Sequence, residues 1–99
     1  IDYAASKGAI DTFTVGLAKE QAPEGIRVNC LRPGATMTEL SVEWAKQNPE
    51  WLNWVMEQVP LGRPAEVSEI AAAALFLLSN EASYITGAIL DAGGGWVSP

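Results

Sequence analysis

The 99-residue chain has no histidine and a single cysteine, Cys30. No intramolecular disulfide can form, and a zinc site built on histidine or paired cysteines is excluded. Nucleophilic centres of the Ser-His-Asp or Cys-His kind are excluded with them. Any acid–base chemistry falls to Asp, Glu, Tyr, Lys or Cys30. Cys30 lies in an apolar run and reads as a small core residue. Basic residues are also few, six against twelve acidic ones, for a formal net charge of -6. The six are scattered, whereas phosphate binding needs a clustered positive surface, so nucleic acid and anionic membrane are poor partners. Long apolar runs are missing too. The longest, Ile70 to Leu78, is far too short to span a bilayer, and no secretory signal opens the chain. A cytoplasmic location is the expectation.

What is present suits a globular protein: 48% of residues are apolar and 18% charged. Tyr3 to Gln21 reads as a helix, ended by Pro23 and Gly25. Ala9, Phe13 and Leu17 form an i+4 apolar stripe on it, and Gly8 and Gly16 suggest close packing against a neighbour. Ile26 to Leu31 reads as a strand before the breaker Pro33-Gly34, and its near-continuous apolarity suits a parallel strand covered on both faces. Thr36 and Glu39 form a capping box for a helix to about Gln47. Asn48-Pro49 starts a second one, to about Val59. A stronger helix spans about Ala65 to Leu78, with Glu66 and Glu69 in its first turn. Ile70, Ala73, Ala74, Leu77 and Leu78 form its buried face, and Asn80 its C-terminal cap. A short strand, Ala88 to Ala92, precedes Gly93-Gly94-Gly95.

Helix, strand, helices, strand is the alternation of an α/β fold with a parallel sheet and crossover helices. Two strands are too few to stabilise such a sheet, so further strands are expected upstream of Ile1. The absence of an initiating Met points the same way, to a segment of a longer protein.

Tyr3 and Lys7 stand four apart on the first helix and so share a face. An ammonium beside a phenol stabilises the phenolate, and such a pair can pass a proton near neutral pH. Carbonyl reduction and alcohol oxidation need that step. The spacing alone is common by chance, but its surroundings are not. Tyr3-Ala4-Ala5-Ser6-Lys7-Gly8-Ala9 is followed by Arg27-Val28-Asn29-Cys30-Leu31-Arg32-Pro33-Gly34, Thr36-Met37-Thr38, Pro60-Leu61-Gly62-Arg63, and Tyr84-Ile85-Thr86-Gly87 leading to Gly94-Gly95-Trp96. In this order and spacing the chain resembles the C-terminal part of a short-chain dehydrogenase/reductase over essentially its whole length.

That resemblance implies the C-terminal part of a single Rossmann-like, doubly wound NAD(P)-binding domain, whose Gly-rich dinucleotide-binding half would lie upstream. It implies Tyr3 as general acid–base, with Lys7 lowering its pKa and bonding the nicotinamide ribose. Ser6 is assigned to packing. Pro33 and Gly34 become the nicotinamide wall, at the carboxyl end of a strand where open parallel sheets bind ligands. The backbone near Thr36 and the hydroxyl of Thr38 would hold the carboxamide. The family usually has Ile or Val where Thr36 stands, and often Asp where Gly93 stands. Residues 36–60, with Trp44, Trp51 and Trp54, fall where the family places its variable substrate lid; packing of two short helices is the competing reading of these tryptophans. Asn29, within the strand, reads as a buried amide bonded to a neighbouring loop.

The favoured reading is hydride transfer between NAD or NADP and a small alcohol or ketone, by a homo-oligomer, a tetramer or dimer. The 99 residues alone should be inactive, with apolar surface exposed on the first helix. The alternative is a noncatalytic packing domain. A third reading, an epimerase or dehydratase of the same family, usually carries a larger C-terminal substrate domain.

Overall fold

A computed structural model describes residues 2–96, and of residues 2 and 3 the backbone alone. The chain forms two compact units, Ile1–Leu31 with Leu75–Leu90, and Arg32–Ala74 with Asp91–Pro99. The elements in order are helix α1 (Asp2–Gln21), strand β1 (Cys30–Pro33), strand β2 (Thr36–Met37), helices α2 (Glu39–Gln47) and α3 (Pro49–Gln58), strand β3 (Ala65–Glu66), helix α4 (Val67–Leu78) and strand β4 (Ile89–Ala92). Strands β1, β4 and helix α4 each have residues in both units.

β1 pairs with β4. Cys30 N–H donates to Ala88 O and Gly34 N–H to Ala92 O, both at 2.9 Å. Equal steps in the same direction on both strands make the pairing parallel, as the crossover through α4 requires. The strand itself starts later than the sequence suggests. Val28 N–H donates to the Thr86 hydroxyl at 3.0 Å, and Asn29 uses its amide on the same loop, so side chains satisfy the backbone before the regular ladder begins at Cys30. Pro33 ends the strand rather than following it, where a missing N–H costs no ladder bond.

In the first unit, Thr14, Ala18, Leu77 and Ala82 are buried. Ala18 is small for a reason: Gly87, at φ +73°, turns the chain so close that a Cβ on it would sit 3.5 Å from the Ala18 Cβ. The face of α1 that turns inward therefore carries Lys7, Asp11, Thr14 and Ala18, at helical spacing. The Ala9–Phe13 part of the predicted stripe faces out, with Phe13 67% exposed, and Ile10 and Val15 also exposed. Among the described residues nothing lies within 4 Å of a Cβ built on Gly8 or Gly16, so the close packing expected there is not made.

Two ends of α4 differ from expectation. Ala65 and Glu66 pair in parallel with Thr36 and Met37 as β3, so the helix starts two residues later. Asn80 does not cap it; it opens a 3₁₀ turn, Asn80–Ala82. The last carbonyls are met instead by Arg27, whose guanidinium donates to Leu77 O (2.8 Å), Ser79 O (3.2 Å) and Ile85 O (3.1 Å). A cation at the negative end of a helix is favourable on dipole grounds as well. Leu78, expected in the core, is 80% exposed.

In the second unit, the cap of α2 is Thr38, not Thr36: its hydroxyl accepts Ser41 N–H at 3.2 Å. Asn48 precedes α3 as expected, but its side-chain amide donates backwards to Trp44 O (3.1 Å) at the end of α2 and makes no cap bond to α3. Val55 and Val59 are the buried residues of this region. Among the described residues, no helix is long and apolar enough to cross a membrane.

Candidate active site

One set of candidate residues lies on α1, in the first unit. The helix runs unbroken from Asp2 to Gln21, so the backbones of Tyr3 and Lys7 are one turn apart on the same face. Lys7 is half-buried on the inward face of the helix. The Tyr3 side chain lies outside the described residues.

Another set, in the second unit, begins where β1 ends. Gly34 touches backbone: a Cβ there would stand 2.6 Å from the Gly93 Cα. Only glycine lets the ends of β1 and β4 meet this closely. The Thr36 hydroxyl donates to Gly34 O at 2.9 Å, which fixes the turn after Pro33. Thr38 N–H donates to Thr36 O at 3.0 Å. The Thr38 hydroxyl also donates to the Ser41 hydroxyl at 3.1 Å, in addition to its capping bond.

The three lid tryptophans do not act together. Trp44 of α2 and Trp51 of α3 line one groove of about 420 Å³, with Leu40, Ser41, Glu43 and Gln47. Trp54 is directed elsewhere and packs edge-to-face on Trp96, ring centres 5.5 Å apart at 77°. Trp96 follows β4 and closes the Gly94-Gly95-Trp96 motif, which assigned it no role of its own.

Two further pairs escaped the sequence reading. Arg63, in the loop after α3, makes two bonds to Glu69, at 2.7 and 2.8 Å. Glu69 Oε1 also accepts Glu66 N–H at 2.9 Å, the reaching-back half of a capping box. The Arg63 hydrogen bond and the Glu66 N–H hold the Glu69 carboxyl down at about 2, and the same contact raises the Arg63 pKa. Arg32 and Asp91 pair across β1 and β4 at 3.6 Å. No cluster of three metal-ligating His, Cys, Asp or Glu side chains exists among the described residues.

Asn29 does what the sequence suggested, from a half-buried position. Its Nδ2 donates to Ile85 O and its Oδ1 accepts Ala88 N–H, both at 3.0 Å. The amide thus stitches the start of β1 to the loop that leads into β4.

Known proteins match the chain over nearly its whole length. A family model described as Enoyl-(Acyl carrier protein) reductase matches residues 2–97. The chain belongs to the short-chain dehydrogenase/reductase family. It is 50% identical over 94 residues to galactitol 2-dehydrogenase (L-tagatose-forming) of Cereibacter sphaeroides, covering 95% of this chain and 37% of that protein. Among solved structures, 4-hydroxyisoleucine dehydrogenase complexed with NADH superposes with a TM-score of 0.87 at 31% identity, over 98% of this chain and 40% of that one. A putative 2-deoxy-d-gluconate 3-dehydrogenase from Agrobacterium tumefaciens with bound NADP gives 0.84 at 38% identity, over 95% and 38%. The chain spans 37–38% of the length of the first three curated relatives it matches.

Proposed function

We propose that the whole protein transfers hydride reversibly between NAD or NADP and a small alcohol or ketone, with Tyr3 as general acid–base and Lys7 as its support. The observation that carries this reading is the unbroken α1, which sets Tyr3 and Lys7 one turn apart. The cofactors in the two similar solved structures, NADH and NADP, favour a nicotinamide dinucleotide without choosing between the two.

The residues present fit one end of such a cofactor. The bare Gly34–Gly93 backbone offers the close approach a flat ring needs. Pro33, Gly34, Thr36 and Thr38 would hold the nicotinamide and its carboxamide, and Lys7 the adjoining ribose. They do not fit the pyrophosphate, which needs a Gly-rich turn at a helix N-terminus. The run Gly93-Gly94-Gly95 follows β4, and no helix follows it among the described residues.

The nicotinamide, when bound, accepts or supplies the hydride. In oxidation, Tyr3 takes the hydroxyl proton of the alcohol as its C–H hydride leaves; in reduction, Tyr3 returns a proton to the carbonyl oxygen. The Lys7 ammonium stabilises the phenolate between these steps. Residues 36–60 would close over the substrate, with Trp44 and Trp51 walling the groove. Association of copies through the exposed Ile10–Phe13 face of α1 belongs to the same proposal, since exposed apolar patches mark interaction surfaces.

The test is Tyr3→Phe in the whole protein. A general acid–base group contributes about 10²–10⁴-fold, so turnover should fall by that factor while cofactor still quenches protein fluorescence. More than about half the wild-type rate remaining would overturn the assignment.

A further inference from the structure

We propose that Trp96 is a positioning residue for the lid: by gripping Trp54 it fixes α3, and so sets the Trp51 wall of the substrate groove. The proposal rests on the reading of residues 36–60 as the substrate lid.

The tail after β4 is held against the end of α3 at several points. Leu61 N–H donates to Gly94 O at 3.0 Å. A Cβ on Gly94 would meet Val59 at 2.7 Å, and one on Gly95 would meet Pro60 at 3.0 Å. Both glycines have positive φ, +64° and +93°, which lets the chain reverse, and Trp96 N–H closes the turn on Gly93 O at 3.1 Å. The reversal delivers the Trp96 ring onto Trp54 in the edge-to-face arrangement that aromatic pairs favour.

The two walls of the groove are held unequally. α3 is anchored by buried Val55, with Val59 just beyond it, and by the Trp54–Trp96 contact. α2 has no buried residue, and its Leu40 is 82% exposed. Trp51 and Trp54 stand three apart on α3, so they turn together. One wall, Trp51, is therefore tied to the tail, while the other, Trp44, stands on a helix with no buried residue and no contact of that kind. Releasing Trp96 would let the fixed wall tilt and weaken substrate binding without touching the groups that move the proton.

The experiment compares Trp96→Ala, Trp96→Phe, Trp54→Ala and the double variant in the whole protein. An aromatic pair contributes enough that its loss should raise the substrate KM about two- to tenfold. kcat and the cofactor KM should stay within about twofold, Trp96→Phe should restore the wild-type KM, and the double variant should be no worse than either single. Circular dichroism checks the contact separately, because two indoles this close couple and the coupling should vanish in every single variant. Lost coupling with an unchanged substrate KM in both Trp96→Ala and Trp54→Ala overturns the positioning role and leaves the hydride-transfer reading intact. Coupling that survives Trp96→Ala, or a cofactor KM that rises as much as the substrate KM, overturns it too. Failure of the hydride-transfer reading would show instead in an active Tyr3→Phe, whose indole coupling would be unchanged.

Discussion

Three glycines separate two physical costs that substitutions usually mix. Gly62 has φ +76° and open space where a Cβ would go. Gly62→Ala therefore incurs only the left-handed backbone penalty, about 1–2 kcal/mol. Gly34 has no positive φ, yet a Cβ there would stand 2.6 Å from the Gly93 Cα, well inside the 3.5–4.0 Å at which carbons attract. Its obstacle is backbone, so Gly34→Ala must push the strand ends apart, at an overpacking cost of about 1–3 kcal/mol. Gly94 carries both burdens: φ +64°, and a Cβ 2.7 Å from Val59 Cγ1. Val59 is 4% exposed and stiff at χ1, so it cannot swing clear. Gly94→Ala should thus cost about 2–5 kcal/mol, the sum of the two. Urea titration of the whole protein gives the comparison, as midpoints at constant m. The predicted order of loss is Gly94 greatest, then Gly34 and Gly62. A Gly94→Ala midpoint no lower than that of Gly62→Ala would refute the close approach of the tail to Val59.

Asn29→Asp should destabilise by about 1–3 kcal/mol, because a carboxylate cannot donate to Ile85 O and would face that carbonyl instead; an unchanged urea midpoint at neutral pH would contradict the role given to this amide. Glu69 supplies a pH test. Its folded-state pKa, about 2, lies below the ordinary 4.5, so its contribution is complete above about pH 4.5 and is lost as pH falls toward 2. The stability gap between wild type and Glu69→Gln should therefore close across that window. It should also shrink in about 1 M salt, since both side chains face water and the Debye length there is about 3 Å. A gap that stays constant from pH 6 to pH 3 would show that the ion pair contributes nothing.

Elements set by local chemistry were legible in the sequence. The bounds of α1, α2 and α3 follow from Pro23-Gly25, Gln47 and Asn48-Pro49, and β4 from the run after Gly87. What escaped depends on partners far along the chain. β2 and β3 are two residues each and exist because Thr36–Met37 and Ala65–Glu66 find one another; neither has a periodicity of its own. The sequence pointed to Thr36 as the cap of α2, but the Thr36 hydroxyl donates to Gly34 O and Thr38 caps instead. The Ala9–Phe13–Leu17 spacing marks a helix correctly but not its inner face, because Gly87 needs the small Ala18 against it. Of the candidate site, Tyr3, Lys7 and the Pro33–Thr38 turn were legible as a pattern. The division of the tryptophans into a groove pair and a tail contact was not, since Trp51 and Trp54 look alike in sequence.

The bonds of Arg27 and Asn29 also have a consequence for the order of events during synthesis. Arg27 finds its acceptors 50, 52 and 58 residues later, and Asn29 finds its partners 56 and 59 residues later. At about 5–20 residues per second, Leu77 emerges roughly 3–10 s after Arg27 does. Throughout that interval β1 cannot pair with β4, and the Arg27 guanidinium and Asn29 amide must find other partners or remain in water. The first helix needs no such wait, because its hydrogen bonds are local. A nascent chain stalled before residue 77 should therefore lack the Cys30 and Gly34 amide protection that β4 provides, while the local bonds of α1 can already form.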